Sequence, residues 1–110
     1  MKRIALITFI LLLAVSCFVF SQHARVDFTI VNNTGFTIYA IHLSSPGQAA
    51  WGNDLSSHLL PPGHTFNVWT TRGNVVDILL IDTDGDQFIK YNVPIHNGAR
   101  IVFTMADFQG

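Results

Sequence analysis

Three aspartates at alternate positions are the residues of this sequence best suited to binding chemistry. Asp82, Asp84 and Asp86 form the densest group of carboxylates in the chain. At this spacing the side chains share one face of a strand, or converge in a tight turn. Neighbouring carboxylates repel one another without a counter-ion, and Ca²⁺ binds several oxygen ligands at once. Two interpretations stay open: a Ca²⁺ site, or a solvated Asp-Gly hairpin turn held by local hydrogen bonds.

The segment Trp51-Gly52-Asn53-Asp54-Leu55 supplies the other candidates. Asp54 is predicted to be a further metal ligand if this loop folds over the same end of the domain. Trp51 and Asn53 are the predicted binding residues, because an exposed indole in a Gly/Asn-rich loop can anchor a protein or a sugar. The alternative for Trp51 is a plug that seals one end of the fold. Trp69, which lies in a predicted strand, is expected in the core.

The remaining reactive residue types do not form a catalytic pattern. The five histidines lack the spacing of a zinc site, and no serine lies in a nucleophile elbow. Cys17 is the single cysteine and precedes the predicted domain. The remaining alternative is a hydrolase built from Asp54, Asp77 and a histidine, which needs a carboxylate and an imidazole within hydrogen-bond reach. We therefore predict that the protein is not an enzyme.

The N-terminus has the pattern of an export signal. Lys2 and Arg3 precede an uncharged apolar run over 4–20, which is shorter than the roughly 20 residues of a membrane span. Residues 1–21 are predicted to be a signal peptide and 22–110 a β-sandwich domain. The predicted location is secreted or periplasmic.

A second processing route leads to a different attachment. Leu13-Ala14-Val15-Ser16-Cys17 resembles a bacterial lipobox, in which Cys17 is lipidated and becomes the first residue. The protein would then be a lipid-anchored envelope protein. Membrane contact is predicted only through the signal or through this lipid.

Composition favours one small all-β domain. Two of the six cations belong to the N-terminal signal, so four cations face the seven aspartates of the remaining chain. This acidic balance argues against a nucleic-acid partner. Glutamate is absent, whereas Val, Ile, Phe and Thr are abundant, which favours strands over helices.

Period-two hydrophobicity divides the domain into six strands. The most apolar one begins at Val75 and leads directly into the aspartate turn, and such a run is typical of a strand buried on both faces. Its residue Asp77 is expected to pair with Arg72 or Arg100. An Asn-rich turn at 32–35 predicts a hairpin between the first two strands, and the aspartate turn predicts another. The resulting fold class is an all-β antiparallel sandwich of six to seven strands, with a long irregular segment at 44–63. A small barrel is the alternative.

The order of these motifs resembles a family of small exported bacterial proteins whose function is not established. The resemblance covers nearly all of the domain and is carried by Asn32-Asn33-Thr34-Gly35, the segment 38–46, Trp51-Gly52-Asn53-Asp54-Leu55, Pro61-Pro62-Gly63 and the stretch from Asp77-Ile78 through Asp84-Gly85-Asp86. It implies a compact β-sandwich and no particular activity.

Together these patterns predict an exported, non-catalytic binding or interaction module with Ca²⁺ at the Asp82–Asp86 turn. Its partner is an unknown protein or glycan. The alternative is a structural envelope or surface protein without a metal site, which self-associates through an open sheet edge.

Overall fold

The computed structural model describes residues 23–110. The predicted signal peptide, the predicted start at Gln22 and the possible lipid site at Cys17 lie outside these residues. No helix in the described residues has the length and apolarity needed to cross a membrane.

Six strands form two three-stranded sheets, as the all-β prediction required. A single 3₁₀ turn (Met105–Asp107) follows the last strand. The strands are β1 (Val26–Asn33), β2 (Ile38–Ser44), β3 (Thr65–Thr70), β4 (Val75–Asp82), β5 (Gln87–Pro94) and β6 (Ala99–Thr104). One sheet has the order β3-β1-β6 and the other has the order β2-β4-β5. Every neighbouring pair is antiparallel except β1 and β6, which are parallel.

The core draws on the inner faces of both sheets. Phe28 and Ile30 of β1 and Phe103 of β6 belong to one buried cluster with Ile78 and Leu80 of β4. Each large apolar side chain buried in this way contributes about 1.5–3 kcal/mol. Since β4 is the middle strand of its sheet and is buried from residue 76 to residue 80, the prediction that it is a strand buried on both faces is confirmed.

The predicted hairpin between β1 and β2 is wrong, because the two strands lie in different sheets. Asn32 explains how the chain crosses between them. Its side chain is fully buried, and its amide nitrogen donates to the carbonyl oxygens of Phe36 at 2.7 Å and Leu60 at 2.9 Å. Its Oδ1 accepts from the backbone nitrogen of Thr34 at 3.1 Å and from the Thr34 hydroxyl at 2.6 Å. Side-chain hydrogen bonds at this point replace those of a hairpin.

Trp69 is not in the core. Val68 and Thr70 of β3 are buried, so Trp69, on the opposite face of the strand, is 55% exposed. The guanidinium carbon of Arg25 lies 4.6 Å from the centre of its ring, and Arg25 also pairs with Asp27 at 2.9 Å. The polar neighbours Thr65 and Asn67 share this outward face, which explains the orientation of Trp69.

Asp77 is buried, as expected, but its partner is not an arginine. Within residues 23–110 it makes no ion pair; Oδ1 instead accepts a 2.8 Å hydrogen bond from the backbone nitrogen of Asn92. The pairing of β4 with β5 is irregular between Val76 and Ile78, and Asn92 has a φ of 52°. This irregularity turns a backbone N–H of β5 towards the carboxylate.

The long irregular segment covers the outer edge of β2. Backbone hydrogen bonds join Gly52 to Leu43 at 2.9 Å, Leu55 to Ile41 at 2.8 Å and Leu60 to Ile38 at 2.8 Å. The C-terminus covers the first residue of β5 in the same way, through hydrogen bonds between Gln87 and residues 109 and 110. In the described part of the chain, the outer edges of β3 and β6 have no strand beside them.

Candidate functional site

The aspartate turn joins β4 to β5 and is organised by Asp82. Its backbone N–H donates to the Asp86 carbonyl oxygen at 3.0 Å, and its own carbonyl oxygen accepts from Gly85 at 3.0 Å. Its Oδ1 accepts from the backbone nitrogens of Asp84 and Asp86, each at 2.9 Å. One carboxylate oxygen therefore holds the turn closed, and the predicted hairpin at this turn is confirmed.

The second carboxylate oxygen of Asp82, Oδ2, does not help to hold the turn closed. Asp82 is 1% exposed, and its buried Oδ2 has no hydrogen-bond partner among residues 23–110. A buried carboxylate oxygen without a partner costs about 1–3 kcal/mol or more when the group is charged. This atom is therefore the strongest indication that the turn accommodates a ligand.

The three predicted ligands do come together. Asp82, Asp84 and Asp86 each offer a carboxylate oxygen, and the three atoms lie within 4.8 Å of one another. Asp82 is buried, Asp86 half-buried and Asp84 exposed, so the group opens to solvent on one side. A cation there would be reached from water and would neutralise like charges held close together. The ligand set is all oxygen, which suits a hard cation.

Asp54 does not join this group. Its Oδ1 accepts hydrogen bonds from the backbone nitrogens of Ile41 and Ser56, each at 2.9 Å, and from the Ser56 hydroxyl at 2.8 Å. It thus fastens the irregular segment to the edge of β2, three residues along the strand from Ile38, the partner of Asp82. The structure therefore does not bring Asp54 together with the other three predicted metal ligands, because its carboxylate accepts hydrogen bonds from the backbone of β2 and from Ser56.

Hydrogen bonds also change the acidity of Asp54. Desolvation by partial burial acts to raise its pKa. The bonds from Ile41 and Ser56, with the nearby His42 imidazole, outweigh that effect and hold the pKa below its ordinary value. The His42 ring itself bonds the Gly52 carbonyl oxygen at 2.7 Å, and no histidine in residues 23–110 hydrogen-bonds a carboxylate.

A cleft of about 550 Å³ lies beside the outer edge of β3. One side is formed by the consecutive residues 66–72, and the other by Leu43, Gly52, Asn53 and Leu55. Of the two predicted binding residues, Asn53 lines this cleft, whereas Trp51 is half-buried and is not part of the lining.

Two residues of the cleft were missed by the sequence analysis. Trp69 was expected in the core, and Arg72 was considered only as a partner for Asp77. A signal for Trp69 existed: it alternates in register with the polar residues Thr65 and Asn67 and out of register with Val68. Arg72 carried no such signal, because its position depends on how the irregular segment folds back.

No protein-family model matches this chain, and no curated protein matches it at a significant level. A solved structure with a similar fold is an NMR structure of a protein from Eubacterium rectale, with a TM-score of 0.52 and 15% sequence identity. The similarity covers 77% of this chain and 84% of that one. At this identity it shows the fold alone. Fold and comparison together define an all-β protein of two facing three-stranded sheets.

Proposed function

We propose that this protein is an exported, non-catalytic binding module that holds a Ca²⁺ ion at Asp82, Asp84 and Asp86. The observation that carries the proposal is the buried Oδ2 atom of Asp82, which has no protein partner in residues 23–110 and belongs to a carboxylate of the group. A divalent cation bound at this group would pair its positive charge with the carboxylate to which this oxygen belongs.

Ca²⁺ is the ion that suits this group best. Its ligands are oxygens at 2.3–2.6 Å in a flexible geometry, with 6–8 positions to fill. Three aspartates supply some of those positions, and the open side at Asp84 leaves room for water. Mg²⁺ requires stricter octahedral geometry, and transition metals favour imidazole or thiolate, which the group does not contain.

Calorimetric titration of the full-length chain with Ca²⁺ tests the ion. We expect one-site heat for the wild type and none for Asp84→Ala, whose side chain makes no hydrogen bond within residues 23–110 and so can be removed without opening the turn. Asp27→Ala is the matched control, because it removes one aspartate from the other sheet. Absence of heat at millimolar Ca²⁺ in the wild type would end the metal part of the proposal.

Export and the binding role rest on the sequence. The N-terminal pattern supports a secreted or periplasmic protein or, through Cys17, a lipid-anchored envelope protein of the small bacterial family it resembles. The partner is a protein or glycan. Mass spectrometry of the native N-terminus separates the routes: a chain that begins at Gln22 indicates cleavage, and one that begins at a lipidated Cys17 indicates anchoring.

A second candidate is a structural surface protein that self-associates. The observation in its favour is that both outer edges of the β3-β1-β6 sheet, unlike the edge of β2, have no described segment hydrogen-bonded along them. Such edges can pair with those of another copy. Light scattering coupled to size exclusion decides between the two: oligomers that grow with concentration favour this candidate, and a monomer at all concentrations removes it.

A further inference from the structure

The geometry points to a peptide-binding site in the cleft beside β3: an extended peptide pairs with the outer edge of that strand and directs a carboxylate at Arg72. This inference rests on the proposed role as a binding module and specifies its partner. It does not depend on the cation, because none of the three aspartates lines the cleft.

The shape of the cleft identifies the backbone of β3 as the binding surface. Successive side chains of a strand point to opposite faces, so a pocket on one face touches every second residue. This cleft touches every residue from Phe66 to Arg72. It therefore runs along the edge of the strand, where N–H and C=O groups are open to a partner. In β-augmentation these groups supply the affinity, and side-chain pockets supply the specificity.

The comparison with β2 shows that a further segment of chain can lie along such an edge in this fold and hydrogen-bond to its backbone. On β2 the segment that includes Gly52, Leu55 and Leu60 lies along the outer edge and bonds to its backbone. No described segment does the same for β3. The segment on β2 forms the far wall of the cleft through Asn53 and Leu55, so a peptide on β3 would lie between two walls and not on an open face.

Gly52 allows the segment on β2 to approach Arg72 closely. A Cβ atom at this position would lie 2.8 Å from the Leu43 carbonyl oxygen and 2.8 Å from a guanidinium nitrogen of Arg72. Only glycine allows these two contacts. The close approach brings the guanidinium of Arg72 against the wall at the end of β3, and a hydrogen bond from the Arg72 backbone nitrogen to the Thr70 hydroxyl at 3.1 Å stabilises the turn after the strand.

The charge of the cleft selects the partner. Arg72 is the one charged residue in the lining, and it makes no ion pair with any described residue. Arg25, by contrast, is neutralised by Asp27. A guanidinium binds carboxylates and phosphates in a paired geometry, and of these two groups a carboxylate is the one that an unmodified peptide carries. Exposed Leu55 and Trp69 offer apolar contacts for neighbouring side chains, so the expected partner is an extended peptide with alternating apolar residues and one carboxylate.

The carboxylate can be an acidic side chain or the C-terminus of the peptide. Arg72 lies two residues beyond Thr70, the last residue of β3, so a C-terminal carboxylate reaches it only when the peptide runs parallel to β3. An acidic side chain reaches it in either direction. Two displayed libraries of random twelve-residue peptides separate these sources: one with free C-termini, and one whose C-termini continue into the display protein.

The experiment selects peptides from both libraries on the full-length protein and measures the affinity of synthetic versions by fluorescence anisotropy. We expect alternating apolar residues with one carboxylate, slower amide hydrogen exchange along residues 66–70, and about tenfold weaker binding to Arg72→Gln. Arg100→Gln is the matched control, because Arg100 is an exposed arginine on β6 of the same sheet. The affinity of this variant for the peptides should differ from that of the wild type by less than twofold. If Arg72→Gln does not fold, Asn53→Ala tests the opposite wall.

Several results would overturn the inference. The first is a selection that enriches no peptides over an empty control, and the second is equal peptide affinity for wild type and Arg72→Gln. The third is slower hydrogen exchange outside β3 when peptide is bound. The fourth is a second copy of the chain in the cleft, seen as a dimer that peptides do not dissociate. Each affinity is measured in Ca²⁺ and in chelator. Peptide binding without Ca²⁺ heat removes the cation alone, whereas Ca²⁺ heat without peptide binding removes this site alone.

Discussion

The Oδ1 atom of Asp54 lies 2.9 Å from the backbone nitrogen of Ile41, and this hydrogen bond fastens the irregular segment to the edge of β2. Ser56 donates two further hydrogen bonds to the same oxygen. One carboxylate oxygen thus serves three donors. An edge strand that would otherwise expose its backbone is closed by a side chain from the loop beside it.

Removal of this carboxylate should loosen the edge without unfolding the domain. Asp54→Ala leaves the Ile41 N–H without its acceptor, and we expect a loss of about 1 kcal/mol in the free energy of unfolding, since the site is exposed to solvent. Urea denaturation measures the loss, and hydrogen exchange should show faster exchange at Ile41. The control is Asp27→Ala, which removes an exposed ion pair and should change stability by less than about 0.5 kcal/mol.

The same residue predicts a pH dependence. The pKa of Asp54 in the folded protein lies below its unfolded value of about 3.9. Its contribution to stability is therefore complete above that pH and is lost as the pH falls through the folded-state pKa. Asp54→Asn should flatten the decline in unfolding free energy between about pH 5 and about pH 2. An unchanged decline in the variant would contradict the assignment.

Asn32 should be among the least replaceable polar residues of the domain. Asn32→Ala leaves the carbonyl oxygens of Phe36 and Leu60 without their donor in a buried site, which should cost about 3 kcal/mol. Asn32→Asp should cost at least as much, because its carboxylate would face those two carbonyl oxygens. Urea unfolding gives both values. The exposed neighbour provides the comparison: Asn33→Ala should lie within about 0.5 kcal/mol of wild type.

Asp82→Asn should change the sign of its effect with Ca²⁺. In chelator the variant removes a buried carboxylate whose Oδ2 has no hydrogen-bond partner within residues 23–110, so its stability should equal or exceed that of the wild type. In saturating Ca²⁺ only the wild type gains binding energy, about 2.7 kcal/mol when the free ion is 100-fold above its dissociation constant. Thermal unfolding of both proteins in both buffers measures the difference. The same shift in both buffers would show that Asp82 serves only the turn.

Trp69 should contribute little to stability despite its size. Its ring is 55% exposed, so Trp69→Ala should cost less than about 1 kcal/mol. Phe103 is fully buried, and Phe103→Ala should cost about 3–5 kcal/mol. Chemical denaturation of the pair compares one aromatic residue from each face of the same sheet. Similar losses would place the Trp69 ring in the core after all.

The sequence predicted those features that depend on neighbours along the chain. The apolar run of β4, the aspartate hairpin and the meeting of Asp82, Asp84 and Asp86 all follow from local periodicity, because residues two apart in a strand or turn share a side. Period two also predicted six strands. It cannot say which strands become neighbours in a sheet.

Features that depend on distant segments were not predictable in this way. The Asn32 turn contains the residues of a hairpin, yet a bond to Leu60, 28 positions away, helps to send the chain into the other sheet. Asp54 was predicted to be a metal ligand because carboxylates bind Ca²⁺, but in the structure its carboxylate accepts a hydrogen bond from the backbone nitrogen of Ile41. The carboxylate of Asp77 accepts a hydrogen bond from a backbone N–H instead of pairing with an arginine. The cause is an irregularity in the pairing of β4 with β5, which no local sequence pattern predicts.

The parallel pairing of β1 with β6 has a consequence for how the chain reaches its native state. β1 lies between β3 and β6, so the first strand of the domain is completed by the last. Contacts this far apart in sequence form slowly, because a long loop must close before they stabilise anything. The sheet that contains β1 therefore stays unfinished during synthesis until β6 has left the ribosome.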